Sequence, residues 1–254
     1  MSDDDNKQKE RIAEAAVRLA GIKTDRVQEE LKDILSLKNP SVQISEKNGE
    51  ILIKLRAEEE EEKTAKKVLK PAVKEIKSRL GQMIYSTDED ETLEDAVVSL
   101  LKENRFTIAT AESCTAGLFT ARLANVPGVS DILKEGFITY SEKSKRKYAG
   151  VKRRTLDKFT AVSEQTAFEM SKGAAAQAKT DCAVSITGIA GPDGGSAKQP
   201  VGLVYIGVTV QKKTIVKEYQ FSGSRQEIRS RAVTEALALL RLALLKRFSE
   251  VTFS

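Results

Sequence analysis

Ala109-Thr110-Ala111-Glu112-Ser113-Cys114-Thr115-Ala116-Gly117 joins a short apolar run to a helical pattern. Upstream, Phe106 to Ala111 reads as a buried strand, and downstream Leu118, Ala121, Arg122 and Ala124 recur at helical spacing. A joint of this kind exposes Ser113 at the carboxyl end of a strand and the amino end of a helix, where open α/β sheets bind ligands. An N-cap Ser or Thr opening an ordinary helix gives the same local pattern, so chemistry at Ser113 needs support from elsewhere in the chain.

Composition removes most of the usual partners for a nucleophile. The 254 residues contain no His, which excludes a Ser-His-Asp triad, a Cys-His pair and any His-based metal site. The two cysteines, Cys114 and Cys182, exclude a disulfide framework and a four-cysteine zinc site, and read as packing residues in a reducing compartment. No metal or cofactor is expected. A hydrophobic content of 40% supports a proper core in one large domain or two modest ones. No run approaches the roughly 20 apolar residues of a membrane span, and Met1 to Glu10 is too polar for a secretory signal, which implies a cytoplasmic protein. The 42 basic and 37 acidic residues interleave, so the net charge of +5 favours an anionic ligand only weakly.

The pattern along the chain divides it in two. Residues 1–10 form a polar tail, and 11–86 read as a small α+β domain. Within it, Val17 to Ala20 either ends a helix or forms a strand, and Asp25 to Leu37 is a helix with Val27, Leu31, Ile34 and Leu35 on one face. Val42, Ile44, Ile51, Ile53 and Leu55 alternate with polar residues around Asn48-Gly49, which predicts a hairpin with one wet face. Glu58 to Glu62 opens a helix that runs to Arg79 before Gly81, with Pro71 as a kink or restart. Residues 87–91 are an acidic linker. In residues 92–254 a helix from Thr92 and the strand Phe106 to Ala111 begin an alternation: strand Gly136 to Tyr140, helix Glu164 to Ala178 and strand Ala183 to Thr187. A hairpin, Val201 to Val210 with Thr214 to Phe221, and a helix, Arg225 to Phe248, follow. That order predicts a three-layer α/β/α domain with a mixed sheet.

Three further groups fall near the strand ends of this domain. Gly188-Ile189-Ala190-Gly191-Pro192-Asp193-Gly194-Gly195 follows a buried strand, and its glycines, Gly188, Gly191, Gly194 and Gly195, let backbone N–H groups approach a phosphate or oxyanion. It matches neither a Walker loop nor Gly-x-Gly-x-x-Gly. In Thr139 to Lys147, Tyr140 ends a strand and offers a phenol, while Lys143, Arg146 and Lys147 read as a wet helix face. Lys145 lies where a new helix begins, and a lysine whose pKa is depressed supplies the base that a chain without His lacks. In Phe221-Ser222-Gly223-Ser224-Arg225, with Arg229 and Arg231 nearby, arginines at a helix's first turns oppose its dipole, which a bound anion held by Arg225 would resolve.

Taken together, Ala111-Glu112-Ser113-Cys114-Thr115, Tyr140-Ser141 with Lys145, Ser185 to Gly195, Pro200-Val201-Gly202 and Phe221 to Arg225 resemble the C-terminal domain of the CinA (competence/damage-inducible protein) family. Asn39-Pro40, Gly49-Glu50-Ile51 and Arg79-Leu80-Gly81 are similar to the family's KH-like middle domain. The resemblance implies a mixed five-stranded sheet in the second domain, a homo-oligomer (a dimer), and the absence of the molybdopterin-binding-like domain that normally precedes these two. For activity it implies hydrolysis of nicotinamide mononucleotide (NMN) to nicotinic acid mononucleotide and ammonia. Ser113 would be the nucleophile, Lys145 the base, Tyr140 and Thr187 polar partners, Thr115 and the loop glycines substrate contacts, and Arg225 the phosphate ligand. The basic run leaves open whether Lys143 or Lys145 faces the site. Ala116, where the family usually has Gly, leaves a second reading, a nucleotide-binding or regulatory protein without useful turnover. RNA binding by the KH-like domain is disfavoured, because no Gly-x-x-Gly occurs in it.

Overall fold

The structure is a computed structural model that describes residues 12–246, in two compact units that divide between Thr92 and Leu93. The polar tail and the end of the last helix at Phe248 lie outside the described residues.

The first unit contains β1 (Ile12–Leu19), α1 (Thr24–Glu30), α2 (Lys32–Leu35), β2 (Ser41–Lys47), β3 (Glu50–Glu58), α3 (Glu62–Leu80) and β4 (Ile84–Ser86). Its antiparallel sheet has the order β2-β3-β1-β4. Asn48 and Gly49, at φ 55° and 87°, make the turn that the alternation around them predicts. On β3, Ile51, Ile53, Leu55 and Ala57 face a core completed by Val17, Leu19, Leu69 and Ile76. The open choice at Val17 to Ala20 resolves to strand, paired along its length with β3. The single helix expected over 25–37 is broken at Leu31, whose backbone leaves the helical region (φ −110°, ψ 14°) while its side chain is fully buried.

Two further expectations need correction. Glu58 to Glu62 does not open a helix: Glu58 still pairs with Ile12 in the sheet, and α3 begins at Glu62. Pro71 does not divide α3, because it lies on the exposed side, where water can take the carbonyl that it leaves without a donor. The acidic stretch 87–91 is tied back to this unit, with Ser86 Oγ donating to Glu91 at 2.5 Å and Glu89 paired with Lys54.

The second unit contains α4 (Leu93–Glu103), β5 (Ile108–Glu112), α5 (Leu118–Ala124), β6 (Leu133–Ile138), α6 (Glu142–Ala149), α7 (Arg153–Phe159), α8 (Glu164–Ala178), β7 (Cys182–Gly188), β8 (Leu203–Val210), β9 (Lys213–Gln220) and α9 (Arg225–Lys246). The sheet is five-stranded and mixed, in the order β6-β5-β7-β8-β9, with β5 parallel to both neighbours and β7, β8 and β9 antiparallel. Helices α4, α5 and α9 pack together on one face and α6, α7 and α8 on the other, giving the three layers. Arg122 fastens the first layer, donating to Glu94 at 2.6 Å and to Thr234 at 3.0 Å. In the second layer α8 touches the end of α6 so closely at Gly173 that a Cβ there would lie 1.8 Å from the Ala149 carbonyl oxygen. Only Leu156 and Phe159 give α7 an apolar signal, too short to be read from the sequence.

Candidate active site

Glu112, the last residue of β5, and Ser113, the next, point opposite ways across the sheet. Glu112 turns toward α5, where one carboxylate oxygen accepts the N–H groups of Gly117 and Phe119 at 3.0 Å, and the other accepts the N–H and hydroxyl of Thr120 at 2.8 and 2.6 Å. The first N–H groups of α5 are therefore taken from within the chain and are not open to a ligand. The helix's positive end is already neutralised by an internal carboxylate. Ser113 is neither exposed nor an N-cap, since it is 8% exposed and Gly117 occupies the N-cap position.

Ser113 faces the other layer. Its N–H donates to the Ile186 carbonyl of β7 at 2.9 Å, and its hydroxyl receives a 2.8 Å hydrogen bond from Lys145 Nζ. Lys145 also donates to the Thr139 carbonyl at 2.9 Å. It reaches this position because Ser141 and Ser144 form a reciprocal cap that starts α6, which points the helix's fourth residue inward. Lys145 is 1% exposed, and burial pulls its ammonium down to about 8. Lys143 is exposed, so Lys145 is the lysine that meets Ser113. Burial pushes the neighbouring Cys114 thiol up to about 11, which keeps it protonated at neutral pH.

The turn after Ser113 carries Ala116 and Gly117 at φ 51° and 95°. Ala116 holds a left-handed conformation that glycine adopts without strain, and the residue is exposed. Arg229 of α9 grips this turn, donating to the Cys114 carbonyl at 3.0 Å and the Thr115 carbonyl at 2.8 Å. The Thr115 hydroxyl is buried without a hydrogen-bond partner among the described residues.

Tyr140 and Arg225 form a second cluster. Arg225 donates to the Tyr140 hydroxyl at 3.2 Å and to the Gly191 carbonyl at 2.8 Å, and the phenol itself is 58% exposed. Tyr140 bonds neither Ser113 nor Lys145, and it lies beyond β6 rather than ending it. Thr187 follows Ile186 in β7, but its hydroxyl is fully buried and donates to the Ala161 carbonyl at 2.7 Å. Arg225 does not need an anion to offset a helix dipole, because Ser224 and Glu227 cap α9. The Ser224 N–H and hydroxyl hold the Glu227 carboxyl below its ordinary range.

In the glycine-rich loop, packing accounts for the absence of a side chain at three of the four glycines. A Cβ on Gly188 would come within 2.6 Å of the Leu203 carbonyl, on Gly191 within 2.6 Å of Val201, and on Gly195 within 2.9 Å of the Val201 nitrogen. These three are small because the chain packs against them. Gly194 has only Ile189 near it, at 3.9 Å. Gln199 fixes the loop by donating to Thr160 Oγ1 at 2.9 Å and to the Val162 carbonyl at 2.7 Å. Glu112, the Thr139 carbonyl and Arg229 are the parts of the site that residue types alone did not assign. Among the described residues no cluster of three His, Cys, Asp or Glu could hold a metal, and no helix is long and apolar enough to cross a membrane.

Comparison with known proteins agrees with this architecture. Residues 90–244 match the CinA C-terminal domain, and residues 15–86 match the damage-inducible protein CinA KH domain. A CinA-like protein of Kosmotoga olearia is 46% identical over 230 residues, covering 90% of this chain and 56% of the relative. The chain thus spans about half the length of the curated relatives it matches. The crystal structure of competence/damage inducible protein CihA from Agrobacterium tumefaciens is similar at 39% identity and a TM-score of 0.58, over 60% of this chain and 93% of that one. A CinA superfamily protein from Escherichia coli is 30% identical with a TM-score of 0.57, over 64% of this chain and 98% of its own. With both family models matched in order and a fold shared with solved relatives, the chain belongs to the CinA family.

Proposed function

We propose that the second unit hydrolyses the carboxamide of NMN, releasing ammonia and nicotinic acid mononucleotide, with Ser113 as nucleophile and Lys145 as its base. The observation that carries this reading is the buried 2.8 Å contact between Lys145 Nζ and Ser113 Oγ, with the lysine's pKa lowered to about 8. A neutral Lys145 accepts the Ser113 proton as Oγ bonds the amide carbon. It then delivers that proton to the departing nitrogen as the C–N bond breaks, so ammonia leaves. Water hydrolyses the resulting ester, with Lys145 again taking and returning a proton. The Thr139 carbonyl steers the amine toward Ser113 throughout. Arg225, exposed beside Tyr140, is the candidate cation for the 5′-phosphate, which would replace the Gly191 carbonyl as its partner.

The alternative, a nucleotide-binding protein without turnover, rests on Ala116, an exposed residue at φ 51° in the turn that follows Ser113. Ammonia release measured across NMN, nicotinamide riboside and other pyridine nucleotides tests the proposal. Binding without ammonia from any of them would favour the alternative.

A further inference from the structure

Resting on the reading of Ser113 as an acylated nucleophile, we propose that Arg229 is a positioning residue, which holds the Thr115 N–H toward the oxygen of the tetrahedral intermediate. Arg229 lies on α9, in the layer opposite α6 and Lys145. Its guanidinium takes the Cys114 and Thr115 carbonyls at 3.0 and 2.8 Å. A trans peptide is planar, with its C=O and N–H on opposite sides. Drawing the Cys114 carbonyl toward α9 therefore turns the Thr115 N–H the other way, to the side on which Ser113 meets Lys145.

Two neighbouring donors are committed, while the Cys114 N–H, like that of Thr115, has no acceptor among the described residues. Ser113 N–H goes to Ile186 at 2.9 Å and Ala116 N–H to the Ser113 carbonyl at 3.1 Å. Thr115 N–H donates to no described residue, and the Thr115 hydroxyl is buried and unpartnered, so this turn keeps donors in reserve. Without Arg229 the Cys114 carbonyl loses its donor and the Thr115 carbonyl keeps only the Leu118 N–H at 3.2 Å, in a turn already strained at Ala116. A rotated 114–115 peptide would then present a carbonyl oxygen where negative charge develops. A guanidinium suits the task because its fork holds two acceptors in a fixed geometry.

The test uses p-nitrophenyl acetate, which acylates a serine with release of p-nitrophenolate and needs no nucleotide recognition, alongside ammonia release from NMN. Arg229→Gln should slow the Ser113-dependent burst by about 10²–10³-fold, the loss typical of removing one oxyanion donor, and Arg229→Lys should slow it less. For NMN, kcat should fall with little change in KM and no displacement of the pH profile. In 15N-labelled parent protein, phosphonylating Ser113 should move the Thr115 amide proton downfield, a measurement that does not depend on either variant folding. An unmoved Thr115 amide, or a folded Arg229→Gln with a burst within about threefold of the parent, overturns the proposal. A parent that is acylated at Ser113 yet releases no ammonia from NMN refutes the substrate reading alone, and the ester then carries the test of Arg229. A parent with no Ser113-dependent acylation from either compound overturns both.

Discussion

Glu112 and Ser113 are consecutive, yet their side chains serve opposite layers of one sheet: the carboxylate caps α5 while the hydroxyl meets Lys145 of α6. The strand's two-residue period makes this division possible. Support and chemistry are therefore separable by substitution.

Glu112→Gln should destabilise the protein by about 2–4 kcal/mol, because the amide NH2 replaces an oxygen that accepts two buried donors. Urea unfolding measures this. A change below the error of the extrapolation would mean that α5 does not depend on its internal cap.

Ser113→Ala and Lys145→Ala should each reduce ammonia release by at least about 10³-fold while NMN binding survives. Lys145 must be neutral to act, so kcat/KM should rise with pH through a limb near 8 in the parent. Retained turnover in Ser113→Ala would remove it as nucleophile.

The same lysine has a signature in stability. Its pKa is lower in the fold, about 8, than the ordinary value of 10.5, so between these values the unfolded chain binds more protons and stability rises with pH. Relative to Lys145→Met, the parent should gain up to about 3 kcal/mol from pH 7 to 11. Parallel pH dependences for the two proteins would contradict a buried, neutral-leaning amine.

Ala116→Gly should raise stability by about 0.5–1 kcal/mol, since relief of left-handed strain exceeds glycine's added freedom in the unfolded chain. The melting temperature should rise by about 2 °C. Turnover should be unchanged, because glycine holds the same left-handed turn after Ser113.

Arg225→Ala should weaken NMN handling by about 2–5 kcal/mol if Arg225 pairs with the phosphate. Nicotinamide riboside, which lacks that group, should lose little. Lys at this position should restore part of the effect, charge without the fork. Equal losses for both compounds would assign Arg225 to holding the Gly191 carbonyl and the loop.

How far the sequence could be read depended on whether a signal was local. The Asn48-Gly49 hairpin, α8 and the β8–β9 pair carry clear periods or turn residues, and their expected bounds lie within a few residues of those observed. β4 and α7 are too short to carry a period, and the break at Leu31 has no Gly or Pro to mark it. At the site, a hydroxyl and a lysine without His suggested each other by residue type. The glycine-rich loop was not legible at this level, because a glycine kept small by Val201 and one kept open for a ligand are the same letter. Arg229 joins its partners across more than a hundred residues, and nothing near it in sequence names a carbonyl as its target.

At Gly173 and Ala149, backbone meets backbone with no side chain between. The spacing of α6 from α8 is therefore fixed by the hardest surfaces a protein has, and the same helix carries Lys145 to Ser113. A single methyl at position 173 would act as a wedge at the far end of that lever, detuning the base through a residue that touches neither partner of the dyad. The helix tolerates the roughly 0.5–1 kcal/mol that an interior glycine costs, and in return the reach of the lysine is set by contact rather than by flexible packing.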